Sequence, residues 1–269
     1  MSPSPFLAGV VAACLRAGAE IERHKALGFE TFTKGDESPV TAADHAAEAV
    51  LLDALGALDP DTPVVAEEEV AAGRIPLVGH RFWLVDPLDG TRDFVRGGHD
   101  YTVNAGLVVD GAPVLGVVYA PALGRLFYGE VGAGGAWLAQ GRDTPGAVGP
   151  ARSIRVRAPG DRIAVTATKS HGSSALERYI ATLPVGERLH TGSSLKFGLL
   201  AAGEADLYPR TGPTMEWDTA AGDAVLRAAG GRTLGPDGAP FAYGKPGFRN
   251  GAFVATGGWE PPPIAAFAG

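Results

Sequence analysis

Apolar residues recur every three or four positions near the start of the chain, as on one face of a helix. This spacing predicts an amphipathic helix from about Phe6 to Leu27. A second helical pattern runs from Thr41 to Leu58, and the run Asp59-Pro60-Asp61 ends it. The segment Thr41-Ala42-Ala43-Asp44 resembles a capping box at the start of that second helix, with Asp in place of the usual Glu.

Short apolar and β-branched runs replace the helical spacing in the middle of the chain, and they predict strands. The predicted strands are Thr62–Ala66, Phe82–Val85, Thr102–Val109, Val114–Tyr119, Leu126–Val131 and Ala136–Leu138. Asp110-Gly111 separates two of them and predicts a hairpin turn. The pattern therefore indicates a largely antiparallel sheet after the two helices.

Residues 140–152 are rich in Gly, Pro and Arg and show no apolar period, which is typical of a linker. The second half then alternates between the two patterns. It predicts a strand at Ile163–Ala167, a helix at Ser174–Thr182, an extended segment at Arg188–His190, a helix at Leu195–Ala202, a strand at Ala205–Leu207 and a helix at Thr219–Ala229. This rhythm predicts an α/β layer. We therefore expect an N-terminal α+β subdomain over residues 1–150 and a C-terminal α/β subdomain over residues 151–269.

Composition narrows the classes of protein. The 269 residues are 45% hydrophobic, which is enough for a sizeable core and unlike a disordered chain. The net charge of −7 argues against binding a nucleic acid polymer, although not against a small polyanion at a metal site. Cys14 is the single cysteine, so no internal disulfide can form, as expected in a reducing cytosol. No apolar run has the length of a transmembrane helix.

The run Asp86-Pro87-Leu88-Asp89-Gly90-Thr91 bears the strongest chemical signal. It follows the apolar strand Phe82–Val85, so both carboxylates can face one small volume. Gly90 lets the backbone approach a ligand closely, and we expect Thr91 to cap a short helix. Carboxylate oxygens suit magnesium, and a helix N-terminus suits phosphate. The alternative is an ordinary strand-to-helix turn.

Three other segments favour the metal-site interpretation. The strand Val64-Val65-Ala66 runs into Glu67, Asp218 opens a small-residue helix, and Asp44 lies in the capping box. Each has a simpler explanation, namely a solvated loop start, a helix cap and a capping box.

These four segments, in this order, resemble the inositol monophosphatase superfamily of metal-dependent, lithium-sensitive phosphatases, over nearly the whole chain. The runs Gly192–Phe197 and Ala205–Thr214 look like those of its bacterial 3'(2'),5'-bisphosphate nucleotidase branch. The resemblance implies a layered αβαβα sandwich, which is the inositol monophosphatase/fructose-1,6-bisphosphatase-like fold. The active site would then lie between the two subdomains.

The resemblance also implies a metal site. Glu67, Asp86 and the backbone carbonyl of Leu88 would hold one magnesium ion, and Asp86, Asp89 and Asp218 would hold a second. Glu67 could help to bind a third through water, and manganese could replace magnesium. Glu67, Asp44 and Thr91 would be the catalytic side chains, the last two positioning the attacking water. Glu68 and Glu69 are expected to be solvated, and a shift of one position, with Glu68 as the ligand in place of Glu67, is the alternative.

Substrate binding is implied in two parts. The N–H groups of Gly90 and Thr91 would grip the reacting phosphoryl group, beside Asp89 and Asp218. The candidate residues for the rest of the substrate, each of which could instead be an ordinary surface residue, are Lys169, Ser170, His171, Ser193, Ser194, Lys196 and Arg210. Inositol monophosphatases are expected to have an acidic residue seven positions before Asp218, where this chain has Thr211.

The function implied is magnesium-dependent hydrolysis of the 3'-phosphate of adenosine 3',5'-bisphosphate to give AMP. The substrate would be a small phosphorylated nucleotide, and the protein a cytoplasmic monomer or homodimer, with peripheral membrane association left open. An inositol, sugar or histidinol phosphatase is the alternative within the superfamily. A non-catalytic nucleotide-binding regulatory protein is the alternative from another class.

Overall fold

Helices and strands follow one another in a layered arrangement in a computed structural model, which describes residues 2–33, 39–132, 135–141, 148–167 and 173–268. The α-helices of these ranges are α1 (Pro5–Leu27), α2 (Ala42–Leu58), α3 (Glu67–Ala71), α4 (Thr91–Val95), α5 (Ser174–Ile180), α6 (Leu195–Ala201) and α7 (Ala220–Ala228). The strands are β1 (Thr31–Thr33), β2 (Pro39–Thr41), β3 (Val64–Ala66), β4 (Arg81–Asp89), β5 (Thr102–Val109), β6 (Ala112–Ala120), β7 (Arg125–Glu130), β8 (Gly135–Gln140), β9 (Arg152–Ile154), β10 (Ile163–Ala167), β11 (Val185–His190), β12 (Leu207–Arg210), β13 (Thr214–Met215), β14 (Arg232–Leu234), β15 (Arg249–Asn250) and β16 (Phe253–Thr256).

Two sheets form the frame of the described chain. The larger has the order β3-β4-β5-β6-β7-β8-β9, and all its pairs are antiparallel except β3 with β4. The smaller has the order β11-β10-β12-β16-β14, with β10 parallel to both of its neighbours. Since β9 pairs with β8, the chain passes residue 150 within one sheet. The division into residues 1–150 and 151–269 stays a prediction.

The apolar faces of these elements stack into five layers. Helices α1 and α2 cover one face of the larger sheet, and the core there includes Trp83, Val85 and Val117. The opposite face, with Phe82 and Leu84, packs on α6 and α7, which also contact the smaller sheet. Helix α5 covers the far face of the smaller sheet. The predicted αβαβα sandwich is confirmed.

Helix α7 lies unusually close to the larger sheet because glycines face it. A Cβ atom on Gly116 would lie 2.1 Å from the carbonyl oxygen of Ala221, and one on Gly106 would lie 2.7 Å from its amide nitrogen. Neither position can hold a larger residue without moving the helix. The start of α7, and with it Asp218, is therefore fixed against β5 and β6.

Several local predictions are confirmed. Asp110 and Gly111 have φ values of 50° and 74°, and a two-residue type I′ hairpin turn requires positive φ at both positions. Thr41 and Asp44 form both halves of the capping box at the start of α2. Ser4, which the sequence analysis did not select, caps α1 by accepting the N–H of Leu7. Cys14, on the apolar face of α1, is buried in the core.

One predicted boundary was wrong in an informative way. The strand predicted to end at Val85 continues as β4 to Asp89, so the acidic motif lies inside the strand. Asp86 pairs with Asn104 and Asp89 with Thr102, so β4 has one extra residue over this interval. The extra residue is accommodated by a bulge. None of the described helices combines the length and the apolar content that crossing a membrane requires.

Candidate active site

Three carboxylates meet where β3 and β4 end. Glu67 begins α3 directly after β3, Asp86 lies in β4, and Asp218 ends a 3₁₀ turn that leads into α7. Because Ala66 is the register partner of Val85, the residues that follow them emerge side by side. One oxygen from each carboxylate lies within 4.8 Å of the other two. Such a group of hard oxygen donors could hold a divalent cation.

The bulge explains how Asp89 joins this group. Residues three apart on a regular strand point to opposite faces of the sheet, since side chains alternate. The extra residue between Asp86 and Asp89 reverses that alternation, so both carboxylates face the same volume. Their charges act on one another: the repulsion from Asp89, Glu67 and Asp218 adds to burial in raising the pKa of Asp86.

The pKa values of the cluster show that burial and mutual repulsion disfavour its charged carboxylates when no cation is bound. Burial, first of all, raises the pKa of Asp86 and of Asp218 well above the ordinary value for an aspartic acid, and neighbouring carboxylates raise it further. The pKa of Asp89 is also raised by burial, although the charge of Lys196 opposes the shift. A bound divalent cation would replace this mutual repulsion with attraction. The side-chain donors of the cluster are all carboxylate oxygens, so the residues present fit magnesium or manganese better than zinc.

Thr91 links the carboxylate cluster to Asp44. Its hydroxyl lies 3.1 Å from Oδ1 of Asp44 and 3.0 Å from the carbonyl oxygen of Leu88, and it can donate to one of them at a time. The other oxygen of Asp44 accepts both the N–H and the hydroxyl of Thr41, each at 2.7 Å. Asp44 therefore serves the helix cap and the site together.

The predicted capping role of Thr91 was wrong. Gly90 is the N-cap of α4, in the left-handed region at φ 97°, and Thr91 is the first helical residue with no capping bond from its side chain. A Cβ atom at Gly90 would lie 2.8 Å from the carbonyl oxygen of Asp100, so the turn requires glycine twice over. Because Gly90 makes the turn, the Thr91 hydroxyl is available to Asp44.

The prediction that Glu68 is solvated was also wrong. Its side chain is buried, and its N–H donates to Oε2 of Glu48 at 2.8 Å. The strand-to-helix junction folds Glu68 inward beneath α2, while Glu69 pairs with Arg74 at 2.6 Å on the surface. Burial raises the pKa of Glu48 to about 7, and the nearby carboxylates of α3 add to the shift.

Ser194 is directed at the carboxylate cluster. Its hydroxyl lies 2.9 Å from Oδ2 of Asp89 and 2.7 Å from the carbonyl oxygen of Asp218, and it accepts the side-chain amide of Asn104 at 3.1 Å. The preceding residue, Ser193, has a φ of 48°, which turns the chain sharply into α6. The sequence analysis assigned Asn104 no role in the site, because its contact with Ser194 joins residues 90 positions apart.

Lys196 and Arg210, the two cationic side chains predicted to bind substrate, lie beside the volume that the carboxylates face. Lys196 is buried; its Nζ donates to the carbonyl oxygen of Ser193 at 2.8 Å and lies 5.0 Å from the ring centre of Tyr208. Burial lowers the pKa of Lys196 to about 8, against the opposing charge of Asp89. Arg210 is partly exposed and donates to the carbonyl oxygen of Pro213 at 3.2 Å.

A cavity of about 500 Å³ joins these parts. Its lining includes the predicted residues Asp89, Gly90, Ser193, Lys196, Arg210 and Asp218, and also Arg92, Asp93, Arg96 and Asp100, which the sequence analysis did not select. In the sequence, Arg92 and Arg96 follow the acidic motif at a spacing of four, a pattern that an ordinary solvated helix face shares. The predicted residues Lys169, Ser170 and His171 lie outside the described part of the chain.

The fold and the site together define a class of protein: the chain belongs to the inositol monophosphatase family, which it matches over residues 2–260. It is 41% identical to the 3'(2'),5'-bisphosphate nucleotidase CysQ of Escherichia coli K12, over 82% of this chain and 88% of that one. It is 35% identical to the histidinol-phosphatase of Mycobacterium tuberculosis H37Rv, over 88% of this chain and 86% of that one.

A solved structure gives the same result. CysQ from Bacteroides thetaiotaomicron, a bacterial member of the inositol monophosphatase family, superposes with a TM-score of 0.78 at 32% identity. The alignment covers 94% of this chain and 97% of that one. The predicted family resemblance and the predicted fold are confirmed.

Proposed function

We propose that this chain is a magnesium-dependent 3'(2'),5'-bisphosphate nucleotidase that converts adenosine 3',5'-bisphosphate to AMP and phosphate. The observation that carries the proposal is a cluster of four carboxylates that opens into a cavity lined by cationic side chains. A metal site alone would serve any phosphate monoester. Cationic side chains in addition to the metals favour a substrate with a second anionic group, and the 41% identity to a bisphosphate nucleotidase agrees with this.

Glu67, Asp86 and the Leu88 carbonyl are the proposed ligands of one magnesium ion, and Asp86, Asp89 and Asp218 those of another, with Glu67 near a third. When bound, the cations would lower the pKa of the attacking water and stabilise charge on the leaving oxygen. Manganese could substitute, since it accepts the same oxygen donors.

The chain's own groups then handle the proton and the phosphoryl oxygens. With its hydroxyl proton directed at Asp44, the oxygen of Thr91 has lone pairs free to accept a hydrogen bond from water, and the Thr91 proton can pass to Asp44 as the water proton passes to Thr91. The amides of Gly90 and Thr91 begin α4, where backbone N–H groups have no partner within the helix. We assign them to the phosphoryl oxygens.

The inositol phosphatase alternative receives less support. Thr211 occupies the position where those enzymes are expected to have an acid, and its hydroxyl lies 2.8 Å from that of Ser173. A neutral side chain there cannot act as a charged acceptor for a polyol. The histidinol phosphatase alternative rests on the 35% identical relative. A cytoplasmic location and a monomeric or dimeric state stay predictions.

A substrate panel tests the proposal. Phosphate release should be measured with adenosine 3',5'-bisphosphate, inositol 1-phosphate and histidinol phosphate, in magnesium and in excess chelator. We expect the bisphosphate to have the highest kcat/KM and chelation to abolish turnover. A preference for either other substrate would overturn the nucleotidase assignment, and full activity in chelator would overturn the metal mechanism. No turnover of any substrate would favour the regulatory, non-catalytic alternative.

A further inference from the structure

The cavity continues past the metal carboxylates along one side of α4. Arg92 lies in this helix and Arg96 directly follows it, and both line the cavity. Residues four apart lie on the same side of a helix, so the two guanidinium groups share one wall. Lys196 and Arg210 lie on the other elements that enclose the same space.

Charge counting shows what this space favours. The cavity lining includes the cations of Arg92, Arg96, Lys196 and Arg210 and the acids Asp89, Asp93, Asp100 and Asp218. Asp89 and Asp218 are proposed metal ligands, and so are compensated by the metals. The remainder has more cations than acids and would attract an anion.

The remaining acids are already engaged by backbone groups. Oδ2 of Asp93 accepts the N–H of Asp100 at 2.9 Å, and Oδ2 of Asp100 accepts the N–H of Gly192 at 2.8 Å. These bonds hold the loop before β5 against the loop before α6. Both acids serve the shape of the cavity and do not pair with the two arginines.

The arginines differ from the buried lysine in availability. Arg92 and Arg96 are exposed, and neither forms a salt bridge or a side-chain hydrogen bond with any residue that the structure describes. Lys196, in contrast, donates to the Ser193 carbonyl and faces the charge of Asp89. A guanidinium presents a fork of donors that matches two oxygens of a phosphate.

Distance along the helix fits the same role. At about 1.5 Å per residue, Arg92 and Arg96 lie roughly 3 and 9 Å beyond Gly90 along the helix axis. Two phosphates on one ribose are separated by a comparable distance. A substrate whose reacting phosphate lies at Gly90 can therefore place its other phosphate beside this wall.

We propose that Arg92 and Arg96 form the subsite for the anionic 5'-group that stays on the nucleotide, and so help to determine specificity. The proposal rests on the proposed nucleotidase function. It adds a second cationic wall to the predicted contacts of Lys196 and Arg210. The ligand is recognised by its charge and by its oxygen geometry, so a terminal phosphate is the group that fits best.

The test compares two substrates on matched variants. One is adenosine 3',5'-bisphosphate, and the other is adenosine 3'-monophosphate, which lacks the 5'-group. For R92Q/R96Q we expect the ratio of kcat/KM between bisphosphate and monophosphate to fall about 10- to 100-fold. R92K/R96K keeps the charge and loses the fork, so an intermediate ratio is expected. Arg16→Gln, an exposed helical arginine away from the cavity, should leave the ratio unchanged.

Product inhibition supplies a second readout. AMP retains the 5'-phosphate, whereas inorganic phosphate represents the group that is cleaved. In R92Q/R96Q, inhibition by AMP should weaken at least tenfold, and inhibition by phosphate should change far less.

Three outcomes would overturn the inference. If wild-type protein hydrolyses the bisphosphate but R92Q/R96Q leaves the substrate ratio unchanged, the arginines are surface residues. Equal losses on both substrates would place them in the general machinery of the site. If wild-type protein shows no preference for the bisphosphate, the proposed function fails and the inference fails with it.

Discussion

Two carboxylate sites lie on either side of the start of α7, and they are built in opposite ways. Asp223, within the helix, is surrounded by donors: Arg227 at 3.1 Å, Thr233 at 2.7 Å and Tyr243 at 3.1 Å. Asp218, just before the helix, is surrounded mainly by other acids. Burial raises the pKa of both carboxyls, but only Asp223 has a partly buried arginine, Arg227, that opposes the shift strongly.

The difference distinguishes a structural site from a functional one. A carboxylate with a full set of donors stabilises the folded chain and has no capacity left for a ligand. A group of acids with few donors repels itself, and this repulsion destabilises the metal-free protein. A bound cation removes the repulsion, so the free energy recovered adds to the affinity for metal. The comparison predicts that equal changes at the two sites will have different consequences.

The largest effect on stability is expected at the structural site. Asp223→Ala leaves the partly buried guanidinium of Arg227 without its carboxylate, and breaking such a pair costs about 3–5 kcal/mol. Chemical denaturation should report this loss. Asp223→Ala protein that remains folded at low temperature should keep kcat within a few-fold of wild type. A large loss of kcat in folded protein would contradict the division between the two sites.

The largest effect on activity is expected at the metal site. Asp86→Asn keeps the shape and the acceptor for the Leu88 N–H, but removes the charge shared by both proposed metals. We expect kcat/KM to fall about 100- to 1000-fold. In chelator, the variant should be at least as stable as wild type, because repulsion is relieved. Activity within tenfold of wild type would exclude Asp86 as a ligand.

Magnesium should stabilise wild-type protein and not Asp86→Asn. At a magnesium concentration 100 times its Kd, linkage predicts a gain of about 2.7 kcal/mol in the free energy of unfolding. Thermal denaturation over a magnesium series measures the gain, and Asp223→Asn is the matched control that retains the metal site. Equal gains in wild type and Asp86→Asn would place the metal elsewhere.

A smaller effect, dependent on pH, is expected at Glu48. Its pKa in the folded protein is about 7, above the ordinary value of 4.5, so folding binds a proton between these values. The stabilising contribution is full below pH 4.5 and disappears as the pH rises through 7. Glu48→Gln stays neutral and retains an acceptor for the Glu68 N–H, so its advantage over wild type should grow over this window.

The full shift corresponds to about 3 kcal/mol, and residual solvent access reduces the expected gain to about 1–2 kcal/mol at pH 8. Denaturation in chelator at pH 5 and at pH 8 measures the difference. A gain that is the same at both values would contradict the raised pKa.

Local signals made most of the fold predictable. The Asp110-Gly111 turn, the capping box at Thr41 and the long apolar face of α1 each depend on residues close in sequence, and each was predicted correctly. The bulge between Asp86 and Asp89 was not, because a bulge is defined by pairing with β5, far along the chain. The sequence analysis therefore placed the right carboxylates without the reason that they converge.

The site was predictable in type and less so in detail. Acids in one motif indicate a metal, but the inward turn of Glu68 depends on Glu48, which is twenty positions earlier. Arg92 and Arg96 have the composition of any solvated helix face. Only the position of α4 beside the metal cluster gives them a possible role.

The close contact of α7 with Gly106 and Gly116 has a consequence for biosynthesis. The larger sheet is nearly complete once Gln140 has left the ribosome, but the helix that covers its second face ends only at Ala228. At about 5–20 residues per second, this interval lasts on the order of ten seconds. During that time Phe82, Leu84 and Val118 have no cover from α7, and exposed apolar surface of this kind favours aggregation of a nascent chain. Asp218 emerges near the end of the same interval, so the nascent protein lacks this ligand until its apolar face can be covered.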